Sequence, residues 1–268
     1  MPKEMLPIID KPVIQFVVEE AIASGIKDIL IVTGRGKRSI EDHFDRSYEL
    51  ESLLRGKGKI TELNAIEKIS EMTDVFYVRQ KKPLGVANAI SLGREYVGDE
   101  PFAVLLGDVV FEGREPCTMQ LARASAKYGR SVVGLTEVHS SEVGKYGIIK
   151  GTPAGRGVYR LEDVVEKPKP GKAPSKLALL GRYVFTPEIF DAIEETPPRE
   201  GEVLLPDAIK KVARDSGVYA LLARGKTCDI GDKASYLKTS IEFGLKRSDT
   251  GPEVKAFLRE LVKNQFKL

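Results

Sequence analysis

At 268 residues, 42% of them hydrophobic, the chain suits one large α/β domain or two smaller ones with a real core, and excludes a small stapled peptide. Lys and Arg number 42 against 39 Asp and Glu, a net +3 too balanced for bulk attraction to nucleic acid, so local basic clusters must meet any anionic ligand. The two cysteines, Cys117 and Cys228, lie far apart and outside any C-x-x-C spacing, which argues against a disulfide framework or a zinc site and fits a reducing cytosol. No apolar run approaches the ~18 residues of a membrane span and no signal-peptide core opens the chain, so a cytoplasmic protein without a membrane partner is expected.

Met1 to Pro7 reads as loop, with two prolines. A helix follows Pro12, its apolar stripe at Val13, Phe16, Val17, Ala21 and Ile22, and Gly25 ends it as a C-cap glycine. Ile29 to Thr33 is an apolar strand running into Gly34-Arg35-Gly36-Lys37-Arg38, a basic turn ahead of a helix from Ser39. Such a turn can hold an anion on backbone N–H groups, or can be only a tight turn with solvated side chains. Arg46 to Thr73 is polar and helical, broken at Gly56-Lys57-Gly58. Val75 to Gln80 is the next strand, and Lys81 to Ile90 turns into a helix reaching Tyr96. Gln80 offers a donor and an acceptor together, as the edge of a nucleobase requires, and Gly85 would let a flat ring approach the backbone; turn chemistry explains both equally.

Phe102-Ala103-Val104-Leu105-Leu106 is wholly apolar and ends on Gly107-Asp108. It is expected to be a strand buried on both sides in a parallel sheet, with Asp108 at its carboxyl end, where ligands of open α/β sheets sit. Capping the next turn is the other use for such an aspartate. A helix over Thr118 to Tyr128 and a strand over Ser131 to Leu135 continue the alternation of a doubly wound sheet. The rhythm then changes. Lys145 to Ile149, Gly157 to Leu161 and Val164 to Pro168 are three short strand-like pieces, as of inserted antiparallel structure. The link from Pro168 to Pro174 is expected to be a mobile surface loop, and Leu177 to Phe185 to return as a strand. Short helices from Pro187 and to Asp215, a strand over Val218 to Ala223, a turn over Cys228 to Asp232, and helices over Tyr236 to Lys246 and Val254 to Phe266 complete the chain. The last carries Val254, Phe257, Leu258, Leu261 and Val262 on one face, a stripe for docking on its own domain or a sister subunit.

Pro2-Lys3-Glu4-Met5-Leu6-Pro7, Asp10-Lys11-Pro12, the turn from Gly34 to Lys37, Gln80 with Gly85, Leu106-Gly107-Asp108, Val165-Glu166-Lys167-Pro168 and Gly181-Arg182-Tyr183 occur in this order, with spacing that resembles the bacterial-type UTP-glucose-1-phosphate uridylyltransferases from the first residue to about Leu245. The resemblance implies a Rossmann-like, doubly wound, mostly parallel α/β core with an inserted antiparallel β region and C-terminal helices. It places the nucleotide-binding part in 1–138, the sugar-binding part in 139–232 and the terminal helices in 233–268. It implies formation of UDP-glucose and pyrophosphate from UTP and glucose 1-phosphate, with Mg²⁺, in a homodimer or homotetramer. By the same resemblance Gln80 and Gly85 hold uracil, Asp108 ligates Mg²⁺ and Asp229 brings a second carboxylate to it. Gly147 and Glu166 meet the glucose hydroxyls, Lys167 grips the sugar phosphate, and Lys3 neutralises the triphosphate as pyrophosphate leaves. The two histidines, His43 and His139, have no part, since a phosphate nucleophile is already ionised.

The sequence departs from that family in one respect. Members begin with a strand and a glycine-rich, arginine-bearing phosphate loop roughly ~20 residues ahead of the lysine matched by Lys3. The chain as given has neither, so it is expected to be a shortened form or a gene read from a late start, weak or inactive, with unpaired backbone edges on the strands that would flank the missing one. The competing expectations are a thymidylyltransferase or another sugar-phosphate nucleotidyltransferase, and a non-catalytic protein that binds sugar nucleotides.

Overall fold

The computed structural model describes residues 1–169 and 171–266, the side chains of Asp229, Gln265 and Phe266 excepted. Pro170, inside the expected linker, and the last two residues lie outside the described part. After one turn of 3-10 helix at Lys3–Met5, β1 (Pro7–Ile8) folds back on β2 (Lys11–Pro12) through Ile9, which takes a positive φ. The segment expected to be loop is thus a tight hairpin. Pro12, fixed in an extended conformation, starts α1 (Val13–Ala23), whose Val13, Ile14, Val17, Val18 and Ala21 are buried.

β3 (Ile29–Thr33) and β4 (Val75–Arg79) pair in parallel, and α2 (Arg38–Phe44), α3 (Tyr48–Gly56) and α4 (Ile60–Ser70) lie between them in sequence. The helix expected to reach Tyr96 is two, α5 (Gly85–Ser91) and α6 (Arg94–Val97), parted at Leu92-Gly93. β5 (Phe102–Leu105) and β6 (Val109–Glu112) flank Asp108; α7 (Cys117–Tyr128) and β7 (Val132–Glu137) follow. The three short pieces expected next are one long hairpin, β8 (Gly147–Gly155) with β9 (Val158–Glu166). β10 (Leu177–Phe185) takes the expected bounds and is followed by α8 (Glu188–Glu195), α9 (Leu205–Asp215) and β11 (Tyr219–Leu222). The turn expected from Cys228 begins instead as β12 (Lys226–Asp229), antiparallel to β6; α10 (Lys233–Lys246), capped by the Asp232 side chain, and α11 (Gly251–Phe266) end the chain.

Six strands form the main sheet in the order β5-β10-β7-β11-β9-β8, and β8 touches β10 again at Ile148 and Ala178. The α/β architecture with an inserted antiparallel region is as expected, but the sheet is mixed. β10 lies antiparallel between β5 and β7, and among the described residues parallel pairing is confined to β7 with β11 and β3 with β4. One face packs Val133, Leu135, Phe185 and Ala220 against α8 and α9 through Phe190 and Ile209; the other packs Val132, Leu180 and Val184 under Leu121 of α7. Each such fully buried large side chain contributes about 1.5–3 kcal/mol. Among the described residues β3 pairs with β4 alone and β5 with β10 alone. β5 is accordingly half-buried along its whole length rather than buried on both sides, because one of its edges carries no strand.

The terminal helices are tied back by the Tyr236 hydroxyl donating to the Pro7 carbonyl at 2.7 Å and by Arg247 pairing with Asp10 at 2.6 Å. The stripe expected on α11 is only partly covered, since Phe257 stays 60% exposed. Both cysteines are free and buried, and no helix among the described residues is long and apolar enough to cross a membrane.

Candidate active site

A cavity of about 710 Å³ opens beyond the end of β5 and is lined by Gly85, Asp108, Gly147, Glu166 and Lys167 and, far along the chain, Glu242, so the fold gathers residues spread over more than half of the sequence. Asp108 sits in the turn between β5 and β6, four-fifths buried, and its carboxylate is ion-paired with the Lys3 ammonium. Its side chain therefore engages a cation rather than capping the helix that follows. Lys3 reaches the site from the opening 3-10 turn, which stands against the start of α1.

Gly147 and Glu166 face each other at the ends of β8 and β9. A Cβ built on Gly147 would lie 3.2 Å from Glu166 Oε2 and 3.1 Å from Leu179, so only glycine leaves the carboxylate this close to the backbone. Burial pushes the Glu166 carboxyl above its ordinary value, against the pull of Lys167, whose ammonium lies 3.7 Å away. Lys167 itself has φ +43, although it precedes Pro168, a combination that proline sterics disfavour. Its N–H donates to the Tyr146 carbonyl at 3.0 Å and holds it there. Backbone strain of this kind is characteristic of sites whose surroundings over-determine them.

Gln80 follows β4, and its amide nitrogen donates to the Gly85 carbonyl at 3.1 Å and to Asn88 Oδ1 at 2.8 Å. A carbonyl can only accept, so the nitrogen of Gln80 is the atom turned to Gly85 and the oxygen is left for another donor. Gly85 starts α5 at φ +84. Gln80 does not itself line the cavity but meets it through Gly85. The side chain of Asp229 lies outside the described residues. Its backbone pairs with Val109, which places it across a two-stranded ladder from the residue next to Asp108.

Two carboxylates to which the sequence assigned no site role also stand here. Glu4, buried, accepts from Lys37 at 2.7 Å through Oε1, while its Oε2 has no hydrogen-bond partner among the described residues. Its Cγ would lie 3.2 Å from a Cβ on Gly107, so it stands directly beneath the Asp108 turn, and Lys37 of the basic turn is held rather than solvated. Glu202 lines the cavity, with Oε2 3.0 Å from the place of a Cβ on Gly85. The signal for Glu4 was its place beside Lys3; Glu202 had none in spacing. Among the described residues no three acidic, His or Cys side chains gather to hold a metal by themselves.

A family model described as nucleotidyl transferase matches residues 1–243. The UTP-glucose-1-phosphate uridylyltransferase YngB of Bacillus subtilis is 46% identical over 267 residues, covering 99% of this chain and 90% of that protein. A UTP-glucose-1-phosphate uridylyltransferase of Staphylococcus epidermidis is 46% identical over 97% of this chain and 91% of its own. Among solved structures, a UTP-bound UGPase from Acinetobacter baumannii superposes with a TM-score of 0.89 at 36% identity, covering 97% of this chain and 92% of that one. A UDP-glucose pyrophosphorylase complexed with UDP-glucose superposes with a TM-score of 0.84 at 42% identity, covering 92% of each chain. The chain belongs to the nucleotidyl transferase family, among its bacterial UTP-glucose-1-phosphate uridylyltransferases.

Proposed function

We propose that the chain forms UDP-glucose and pyrophosphate from UTP and glucose 1-phosphate in the cavity described above. The observation that carries this reading is that one cavity is lined both by the Asp108 rim and by the Gly147, Glu166 and Lys167 group, so that a triphosphate and a sugar phosphate can meet. The nucleotide half is assigned to 1–138, the sugar half to 139–232 and the terminal helices to 233–268. Cytoplasmic placement and a homodimer or homotetramer complete the reading, the latter supported by Leu237, Ile241 and Phe257, which α10 and α11 leave exposed.

An oxygen of the sugar phosphate attacks the α-phosphorus of UTP in line; the bond to the bridging oxygen of the β-phosphate breaks and pyrophosphate carries the electron pair away. No base is needed, and the protein's task is to align two anions and spread their charge. Gln80 accepts an N–H of the pyrimidine through the oxygen that its bonds to Gly85 and Asn88 leave outward. Gly147 and Glu166 take the glucose hydroxyls, and Lys167 the sugar phosphate. Lys3, which balances Asp108 before substrate arrives, turns to the charge that develops on the leaving pyrophosphate. Asp108, with Asp229 on the neighbouring strand, suits Mg²⁺, a hard cation held by one or two carboxylates together with substrate phosphates rather than by a protein cage. Bound there, the ion would neutralise charge on the α- and β-phosphates.

Pyrophosphate release over a panel of nucleoside triphosphates and sugar phosphates tests the reading. UTP with glucose 1-phosphate should be the best pair, and Asp108→Asn should lower kcat by about 10²-fold or more. Equal rates with dTTP, or an unimpaired variant, would contradict it.

A further inference from the structure

The largest fully buried side chain belongs to Arg182, which neither touches the cavity nor enters the steps above. We infer that Arg182, clamped by Glu20, is a positioning residue that holds the Asp108 turn in the shape needed to bind a divalent cation. This inference rests on the reading that Asp108 is a cation ligand.

The sequence brings the guanidinium there through a bulge. β10 stays in step with β7 at Leu179 opposite Leu135 and again at Tyr183 opposite Val133, so Leu180, Gly181 and Arg182 stand against Gly134 alone. Gly181 absorbs the excess at φ +80, and Arg182 stays paired with Leu105 on the β5 side. Bulges near functional sites re-aim a side chain in this way. All five N–H donors of Arg182 are then used. Nε and Nη2 donate to Glu20 Oε2 at 3.0 and 2.8 Å; Nη2 also donates to the Val109 carbonyl at 2.7 Å; Nη1 donates to the Leu106 and Gly181 carbonyls, each at 3.2 Å. Leu106 and Val109 are the two ends of the turn that carries Gly107 and Asp108. Their own closing bond, from the Val109 N–H to the Leu106 carbonyl, is long at 3.4 Å. One rigid fork therefore sets the distance between the ends.

Glu20 has no freedom to follow a different shape. Its Oε1 accepts from the Thr118 N–H at 3.1 Å and the Thr118 hydroxyl at 2.8 Å, at the start of α7. Val109 also pairs with Asp229, and the Ile230 N–H donates to the Asp108 carbonyl at 3.3 Å, so fixing Val109 fixes the backbone of both aspartates relative to each other. A buried ion pair is poor value as mere stabilisation, because desolvation offsets most of its attraction, whereas a planar fork spanning two carbonyls supplies geometry that apolar packing cannot. Lysine, a compact ammonium on a flexible stem, cannot span them.

The test uses Mn²⁺ as a probe, its binding to the full chain in the presence of UDP-glucose followed by the spin-resonance signal of the free ion, with Asp108→Asn as the site control. Arg182→Lys should raise the Mn²⁺ Kd about tenfold, as loss of an outer support does, while the affinity for UDP-glucose without metal stays within about twofold. Should that variant not fold, Thr118→Val, which removes only one hydroxyl from Glu20, should raise the Kd about threefold. An unchanged Mn²⁺ Kd in folded Arg182→Lys, or in Thr118→Val when the former does not fold, would overturn the inference and leave the Asp108 assignment standing. Mn²⁺ binding that Asp108→Asn does not weaken would instead sink that assignment and the inference with it.

Discussion

In the proposed reading, Glu166 is shaped for the sugar at the expense of the empty fold. Its carboxyl is pushed above the ordinary 4.5 chiefly by burial, so the folded protein holds a proton there more tightly than the unfolded chain does. The stability this gives is present below the ordinary value and is lost as pH rises through the raised one. Accepting from sugar hydroxyls through both oxygens at charge-assisted strength needs the ionised form, which dominates only above that raised value. Glu166→Gln should therefore be more stable than the parent near pH 8 in urea unfolding, yet show a KM for glucose 1-phosphate at least about tenfold higher. In the parent the same KM should climb as pH falls, starting above the range of an ordinary glutamate, and the variant should lack that limb. Equal stability and equal KM would show that the carboxylate does not meet the sugar. The motif around Glu166 and Lys167 was legible because charged residues between Val165 and Pro168 have little reason to recur by packing. The strained φ of Lys167 was not, since only the surrounding hydrogen bonds reveal it.

At the scale of elements, the sheet depends on close passage between β7 and the bulge of β10. A Cβ on Gly134 would meet the Arg182 carbonyl at 3.0 Å, Leu180 at 3.1 Å and Leu121 at 3.3 Å, two of them in the same bulge. Gly134→Ala should cost about 1–3 kcal/mol as overpacking, read as a lower denaturant midpoint with an unchanged slope. A midpoint equal to the parent's would mean that the bulge yields freely. β10 could be read from its apolar run, but its antiparallel direction could not, because strand direction is set by partners remote in sequence. The β8–β9 hairpin looked like three fragments because Gly151, Pro153 and Gly157 parted the first from the second and the charged pair Glu162-Asp163 parted the second from the third. The structure absorbs Gly151 and Pro153 at register shifts within the ladder and leaves Gly157 for the turn. β6 and β12 were missed for a different reason. Each is four residues long, β6 between Asp108 and Gly113 and β12 following Gly225 and ending on Asp229, and only their mutual pairing identifies them as strands.

For the whole molecule, the question is what keeps the start of the chain, with Lys3, beside a site built largely from later residues. Arg247 pairs with Asp10 and Asp249 and so joins the β1–β2 hairpin to the junction between α10 and α11. The guanidinium holds the Asp249 carboxyl down from an ordinary 3.8 to about 2. A depressed carboxylate gives stability that is present above the ordinary value and lost as pH falls through the lowered one. Asp249→Asn should thus be less stable than the parent at neutral pH, and the gap should close as pH falls from 3.8 toward 2. A gap independent of pH would assign the effect to packing. Tyr236 on Pro7 and Phe16 against Phe243 make the same connection without charge. This long-range closure was the least legible feature in the sequence, since nothing in the local pattern of Asp10 or Arg247 names its partner.

The most direct measurement is a crystal structure of the chain soaked with UDP-glucose and Mn²⁺. The account predicts anomalous density for the cation within coordination distance of Asp108, the pyrimidine beside Gln80 and Gly85, and the hexose between Gly147 and Glu166. A cation and ring bound elsewhere, with the cavity beyond β5 left empty, would contradict it.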